Sequence, residues 1–148
     1  MQLETILTPE RCFYNLEGVS KKRFLTTISE LIADTVECLS VDQTYTALLS
    51  REQLGSTGIG NGIAIPHAKS DVVNKVTMVI GVSKTPIDFD SIDNQKARIF
   101  FLVVAPSKEA SAHVELLASI ARSCSSGIFR RMLEQAKDAD EVIQLFME

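Results

Sequence analysis

The sequence predicts an α/β fold, a single domain with a mixed central β-sheet flanked by helices on both faces. Helical and strand-like periodicities are mixed along the chain, which is typical of a sheet covered by helices. One apolar run, residues 98–105, is continuous and therefore fits a central strand buried on both faces. A length of 148 residues suits one domain with its own core, so the predicted domain spans residues 1–148.

The first half of the chain combines short strands with two helices. A strand is expected over residues 12–16. Residues 20–37 form a predicted helix, because apolar side chains recur there at spacings of three and four. A second helix is predicted over residues 42–52, with Asp42 as its N-cap. A short strand over residues 63–66 follows a loop rich in glycine.

The second half supplies the principal strands and three helices. Residues 76–82 alternate between more and less apolar side chains, which predicts a strand beside the run 98–105. Helices are predicted over residues 108–124, 127–136 and 139–147, because each of these segments has an apolar stripe at helical spacing.

Composition and charge argue against several classes of function. With 15 basic and 19 acidic residues the net charge is −4, which is not the basic footprint of a nucleic-acid-binding protein. The longest apolar run, residues 99–105, is far shorter than the ~20 residues that span a bilayer. No signal peptide is visible, so a cytoplasmic protein without membrane insertion is expected. The three cysteines form no CxxC pair and predict neither a disulfide framework nor a zinc site.

Residues 55–62 contain four of the seven glycines in the chain. Glycine permits several backbone N–H groups to surround one concavity, which is anion-binding chemistry. No glycine is followed by lysine, and the spacing G-x-G-x-x-G is absent, so the loop does not match a nucleotide-binding motif. A flexible turn is the simpler alternative for this segment.

The glycine loop leads to His67, one of two histidines in the chain. A neutral imidazole is a nucleophile toward phosphorus, and an arginine such as Arg51 binds phosphate oxygens with parallel N–H bonds. Together they suit a transferable phosphoryl group. Structural or surface roles remain the alternatives: a helix-end cation for Arg51, and a helix-surface hydrogen bond for His113. No third ligand lies at metal-binding spacing, so no metal is expected.

This pattern resembles the active-site motif of the type-2 (mannitol/fructose/nitrogen) enzyme IIA domains of the bacterial phosphoenolpyruvate-dependent phosphotransferase system. The segment GSTGIGNGIAIPH, residues 55–67, is especially similar to the nitrogen-related members. The resemblance runs from about Thr5 to the C-terminal helices and includes KKR at 21–23 and TPIDFDSIDN at 85–94. The family pattern is matched by Glu52, Ile59, Gly60, Ile63, Ala64, Ile65, Pro66, His67 and Ala68.

The resemblance implies a mixed sheet flanked by helices and assigns roles to the site residues. His67 aligns with the phosphate-accepting histidine of the family, and Arg51 aligns with an arginine at the start of the motif. His113 aligns with a second histidine of the family. The resemblance therefore implies a role for His113 in the site, in place of the helix-surface role that periodicity favours. His113 would donate a hydrogen bond to the phosphoryl group or orient the nucleophile. The N–H groups of Gly55, Ser56, Thr57 and Gly58 would stabilise the phosphoryl oxygens together with Arg51 and His113.

The resemblance also implies a phosphocarrier that needs no cofactor. Its donor would be the phosphohistidine form of an HPr-like carrier protein, and its phosphorylation state would select regulatory partners in nitrogen and potassium metabolism. The 148 residues include neither a IIB cysteine domain nor a membrane IIC domain, so a regulator is expected. The alternatives are a sugar-specific (fructose or mannitol) enzyme IIA that passes the group to a separate IIB protein, and a purely regulatory binding module. The sequence predicts no oligomeric state.

Overall fold

A computed structural model of the chain describes residues 12–16, 20–35 and 40–147. Strands and helices are mixed along this part of the chain, as predicted. The strands are β1 (Cys12–Leu16), β2 (Gly58–Gly60), β3 (Ile63–Ala64), β4 (His67–Lys69), β5 (Thr77–Ile87) and β6 (Ala97–Ala105). The helices are α1 (Lys21–Thr35), α2 (Val41–Leu54), α3 (Ala110–Cys124), α4 (Gly127–Gln135) and α5 (Ala139–Met147), and a 3₁₀ turn at Ser107–Glu109 leads into α3.

Strand β6 is the centre of a mixed sheet in which β1, β5, β6, β3 and β2 follow one another. It pairs antiparallel with β5, from Thr77 opposite Val104 to Ile87 opposite Ala97. Along its other side it pairs in parallel, first with β3 and then with β4. Strand β1 runs parallel to β5, and β2 runs antiparallel to β3. The prediction of a central strand over residues 98–105 is therefore confirmed.

Helices cover both faces of this sheet. Phe101 and Val103 of β6 belong to a core formed with α3, α4 and α5. Phe100 and Leu102 point to the opposite face and belong to a second core formed with α1 and α2. Alternation of side chains along one strand therefore supplies both cores, and the predicted fold class is confirmed. Among the described helices, none combines the length and apolar character needed to cross a membrane.

Some predicted boundaries differ from the structure. The second helix begins at Val41, and its N-cap is Ser40, whose hydroxyl oxygen accepts a hydrogen bond from the Gln43 N–H at 3.2 Å. Asp42 was the wrong cap, because it lies inside the first turn, where its charge still suits the helix dipole. The strand predicted over residues 63–66 ends at Ala64. The predicted end of the first helix at residue 37 lies outside the described residues.

Part of the glycine-rich loop is strand rather than turn. Gly58 begins β2 and packs closely against the segment that follows β5. A Cβ atom at residue 58 would overlap the Ser91 hydroxyl and lie 3.2 Å from the Ser91 Cα atom. Ser91 is itself buried, so this segment has little room to move away. Glycine is required here for a close backbone approach.

We expect Gly58→Ala to lower the free energy of unfolding by about 1–3 kcal/mol, the usual cost of forcing an extra methyl group into a packed site. Gly127→Ala is the matched control, because a Cβ at that helical residue meets only the end of the Arg130 side chain, at 3.5 Å. Urea unfolding of both variants and the wild type measures the difference. Equal midpoints for the two variants would contradict the close approach of Gly58 and Ser91.

Candidate functional site

The central strand positions His67. Strand β4 begins at this residue and pairs in parallel with β6, where His67 lies opposite Val103. The Val103 N–H also donates a hydrogen bond to the Pro66 carbonyl at 2.9 Å. Between β3 and β4 the chain leaves the regular ladder for two residues, Ile65 and Pro66. His67 is therefore held at the start of a strand, directly after a break in the pairing.

A backbone contact determines the tautomer of the His67 ring. Its Nδ1 atom lies 2.8 Å from the Ile65 carbonyl oxygen. Because a carbonyl oxygen only accepts hydrogen bonds, Nδ1 carries the hydrogen, and in the neutral ring Nε2 keeps its lone pair. The Arg51 Nε–H donates to that lone pair, with 3.3 Å between the two nitrogens. Nε2 is therefore the nucleophilic atom of this ring.

Arg51 lies in the last turn of α2 and is half-buried. Its guanidinium group contacts two acceptors, because Nη1 also donates to the Gly55 carbonyl oxygen at 2.9 Å. The planar group is thus oriented at both ends, with His67 at one and the turn after α2 at the other. Held in this way, it presents a fixed positive charge beside Nε2.

His113 enters the site from the first turn of α3. The side chain is buried, with 3% of its surface exposed, so the helix-surface position that periodicity favours is wrong. Its ring centroid lies 5.7 Å from that of His67, with 69° between the ring planes. Within the described part of the molecule its Nε2 atom has no hydrogen-bond partner. A buried polar atom without a partner is costly, which indicates that a ligand group completes it.

Both histidines are tuned toward the neutral form. Burial lowers the pKa of His67 below the usual 6.5, and the Arg51 charge lowers it further, whereas the Ile65 hydrogen bond and the Glu52 carboxylate act in the opposite direction. Burial likewise lowers the pKa of His113, with smaller contributions from His67 and Lys69. At neutral pH the His67 ring is therefore available as a nucleophile.

These groups line a cleft of about 590 Å³ between α2, β4 and α3. Arg51, His67 and His113 supply polar groups, and Lys69 adds a second cation. Sequence reasoning missed Lys69, although residues two apart in a strand face the same side and β4 contains both His67 and Lys69. The rest of the wall is largely apolar and includes Ala47, Leu54, Val114 and Leu117.

The loop residues 55–58 border Arg51 rather than facing His67. The Gly55 N–H donates to the Glu52 carbonyl at 3.1 Å, and the Thr57 N–H donates to the Glu52 carboxylate at 3.0 Å. The Gly58 N–H donates to the Ser56 hydroxyl at 3.0 Å. Three of the four N–H groups therefore have partners within the protein. That they bind phosphoryl oxygens stays a prediction.

The remaining candidate chemistry in the described residues concerns metal-binding clusters and the surroundings of the cysteines. Within residues 12–16, 20–35 and 40–147, no group of three or more histidine, cysteine, aspartate or glutamate side chains is placed to hold a metal ion. Cys12 and Cys124 are buried, and burial raises the pKa of Cys124 to about 12. Such a thiol is unreactive at neutral pH. Cys38 lies outside the described residues.

Comparison with known families shows the family of this chain. The profile described as "Phosphoenolpyruvate-dependent sugar phosphotransferase system, EIIA 2" matches residues 5–148. The chain belongs to this type-2 enzyme IIA family. The resemblance noted in the motif that ends at His67 is thereby confirmed.

Several relatives are similar along nearly the whole of this chain. A nitrogen regulatory protein of Pseudomonas aeruginosa is 36% identical over 149 residues, covering 100% of this chain and 96% of its own. The crystal structure of the nitrogen regulatory protein IIA-Ntr of Neisseria meningitidis superposes with a TM-score of 0.91 at 29% identity, covering 97% of this chain and 98% of its own. A fructose-specific EIIABC component of Bacillus subtilis is 32% identical over 98% of this chain but only 23% of its own length.

We expect the two histidines to titrate with midpoints below 6.5, measured from the ring-proton shifts by NMR. The direction in which stability changes with pH follows from proton binding to the folded and unfolded states. Unfolded histidines, with the higher pKa, bind protons first as the pH falls. Their contribution to stability is therefore complete above pH 6.5 and is lost as the pH falls through the lower folded-state values.

Urea unfolding above and below pH 6.5 checks this linkage, with His113→Gln as the comparison. The variant lacks one titrating ring and should show a weaker dependence of stability on pH. A midpoint at or above 6.5 for His67 would contradict the lowering of its pKa by burial.

Proposed function

We propose that this chain is a cytoplasmic phosphocarrier that accepts a phosphoryl group on His67 from a phosphohistidine carrier protein of the HPr type. Its phosphorylation state then regulates partner proteins. Membership of the enzyme IIA family supports phosphoryl transfer as the class of chemistry. One observation carries the residue assignment: the bond between His67 Nδ1 and the Ile65 carbonyl leaves the Nε2 lone pair beside the Arg51 guanidinium.

The transfer is an in-line displacement between two imidazoles. The lone pair of His67 Nε2 forms the new nitrogen–phosphorus bond, while the donor's nitrogen–phosphorus bond breaks and its electron pair returns to the donor ring. The Arg51 Nε–H no longer has a lone pair to face, so it binds an oxygen of the transferred group. The hydrogen stays on His67 Nδ1, and its hydrogen bond to the Ile65 carbonyl stabilises the positive charge that the ring acquires.

Three groups stabilise the phosphoryl oxygens in this proposal. Arg51 offers N–H donors in a fork that fits two oxygens. His113 offers its unpartnered Nε2 as a donor, since the tautomer with hydrogen on Nε2 is neutral and needs no added proton. Lys69 contributes charge from the solvent-exposed side. Such transfers depend mainly on positioning and charge stabilisation, which is what this cleft provides.

A regulatory role is favoured by the relatives. The full-length similarity to a protein named nitrogen regulatory protein, and to the IIA-Ntr structure, supports a regulatory role linked to nitrogen. A link to potassium metabolism stays a prediction from the resemblance. A bound phosphoryl group adds about −1.5 to −2 charges beside the apolar walls of the cleft. The phosphorylated and free forms therefore present different surfaces to a partner protein.

A sugar-specific enzyme IIA is the second candidate, because one relative is named a fructose-specific EIIABC component. Measured transfer from phosphorylated His67 to a IIB cysteine would establish this function. A purely regulatory module would instead bind the same partners in the wild type, His67→Ala and His67→Asp. Partner sets that differ among these three forms support the phosphorylation switch.

The apolar rim of the cleft suits the docking of the donor protein. Leu54, at the end of α2, is 85% exposed, and Val114 on α3 is 63% exposed. Exposed apolar side chains around a polar centre mark a protein interaction surface. A carrier seated here would exclude water from the two imidazoles during transfer.

We expect incubation with phosphoenolpyruvate, the first enzyme of the phosphotransferase chain and an HPr-type carrier to add one phosphoryl group, seen by intact mass. His67→Ala should take up none. Arg51→Gln should slow uptake by about 10²-fold, the usual loss for one donor to a developing anion. Arg131→Gln, which removes an exposed arginine on α4, is the matched control and should retain the wild-type rate. Full phosphorylation of His67→Ala would overturn the assignment.

We expect Leu54→Glu to raise the KM for the phosphorylated carrier by about tenfold, equivalent to ~1.4 kcal/mol of docking energy. Ile128→Glu is the matched control, because Ile128 is 63% exposed on α4 and does not line the cleft. The measurement is the initial rate of phosphoryl uptake at varied carrier concentration. If the two substitutions raise KM equally, the rim around Leu54 is not the docking surface.

A further inference from the structure

The Glu52 carboxylate is buried in the last turn of α2, next to Arg51. Its side chain is only 4% exposed. Its oxygens accept hydrogen bonds from the Thr57 N–H at 3.0 and 3.2 Å, and from the Thr57 hydroxyl. Lys21, on α1, completes the set with its Nζ atom 3.1 Å away. The charge is therefore fully compensated.

This is an unfavourable place for a carboxylate. The C-terminal end of a helix carries partial negative charge, and burial removes hydration from the anion. A buried ion pair seldom stabilises a protein more than apolar side chains of the same size. Stability alone therefore explains the arrangement poorly, and the geometry that Glu52 imposes has to be considered.

We infer that Glu52 is a positioning residue for the phosphoryl-transfer site, holding the turn after α2 so that Arg51 stays oriented toward His67. This inference rests on the proposed function of His67. Glu52 acts through the backbone of residues 55–57 and touches neither His67 nor the transferred group.

Two contacts from one residue determine the path of this turn. The Glu52 carbonyl accepts the Gly55 N–H at 3.1 Å, and the Glu52 carboxylate accepts the Thr57 N–H. Gly55 lies between these points with φ 156° and ψ 147°, a conformation that side chains disfavour. Its carbonyl is thereby directed at Arg51 Nη1, 2.9 Å away. The same guanidinium then reaches His67 Nε2 with its Nε–H.

Lys21 ties this turn to the segment after β5. Its Nζ atom donates to the Phe89 carbonyl at 3.3 Å, lies 3.6 Å from Asp90, and sits 4.8 Å from the centre of the Phe89 ring. The Ser56 hydroxyl donates to the same Phe89 carbonyl. Glu52 and Ser56, which both precede Thr57, are therefore connected to the same segment, and the turn cannot shift without breaking several contacts.

The anion that the Thr57 N–H binds is the Glu52 carboxylate. The Glu52 carboxylate occupies the Thr57 N–H and the Thr57 hydroxyl, so these two donors already bind a carboxylate of their own protein. The phosphoryl charge then depends on Arg51 and His113, and the orientation of Arg51 becomes the quantity that Glu52 controls.

The test is solvent exchange of the Arg51 Nε–H proton, measured by NMR on the unphosphorylated protein. The variants are Glu52→Gln, which removes the charge, and Thr57→Val, which removes the hydroxyl. Thr57→Ser keeps the hydroxyl and is the conservative rescue. Glu134→Gln changes an exposed carboxylate on α4 and is the matched control. Urea unfolding identifies any variant that has lost its fold. If Glu52→Gln does not fold, the exchange rate in Thr57→Val tests the inference.

We expect about tenfold faster exchange of the Arg51 proton in Thr57→Val and Glu52→Gln, with exchange near the wild-type rate in Thr57→Ser and Glu134→Gln. The kcat for phosphoryl uptake should fall with the loss of orientation, by up to about a hundredfold, while KM for the carrier stays unchanged. Unchanged exchange in both folded test variants, or an unprotected proton in the wild type, overturns the inference. If the wild type accepts no phosphoryl group, the proposed function fails, yet the exchange rates still decide the role of Glu52.

Discussion

The hydrogen bond from His67 Nδ1 to the Ile65 carbonyl is the interaction on which the chemistry of this site depends. It places the single N–H hydrogen of neutral His67 on Nδ1 and leaves the lone pair on Nε2, which faces the cleft. In the opposite tautomer the Arg51 Nε–H would face another N–H group, and their contact would be repulsive. The acceptor of the Nδ1 hydrogen is a backbone atom only two residues away, so this contact is made within one short segment of the chain.

The sheet brings the remaining groups to that nucleophile from two directions. Helix α2 packs with the core on one face, and α3 packs with the core on the other. They meet at β4, a strand of three residues paired only with β6 among the described strands. Arg51 and His113 therefore approach the same ring from opposite layers. The site as a whole therefore depends on the packing of both helix layers against the sheet. The Nε2 atom of His67, the proposed phosphoryl acceptor, is placed by strand β4.

The elements with long, regular periodicity were predictable from the sequence, and the short or non-local ones were not. The continuous apolar run of β6 predicts a strand buried on both faces, which lies in the middle of the sheet. Strands of three residues, such as β2 and β4, are too short to show a period, and their pairing is determined by distant residues. The proximity of Arg51, His67 and His113 was expected from the family motif alone. The family motif includes Glu52, but periodicity does not distinguish it from an ordinary exposed carboxylate, because its partners lie on α1 and beyond the turn.

The break between β3 and β4 has a consequence for the reaction coordinate. At Ile65 the chain interrupts its ladder with β6, and the carbonyl of that residue is turned to an imidazole instead of a neighbouring strand. The hydrogen thereby stays on Nδ1, donated to the Ile65 carbonyl, before, during and after the bond between Nε2 and phosphorus forms. No proton has to be removed from His67, and none has to be supplied by water. Group transfer at this centre is expected to proceed at nearly the same rate in heavy water as in light water.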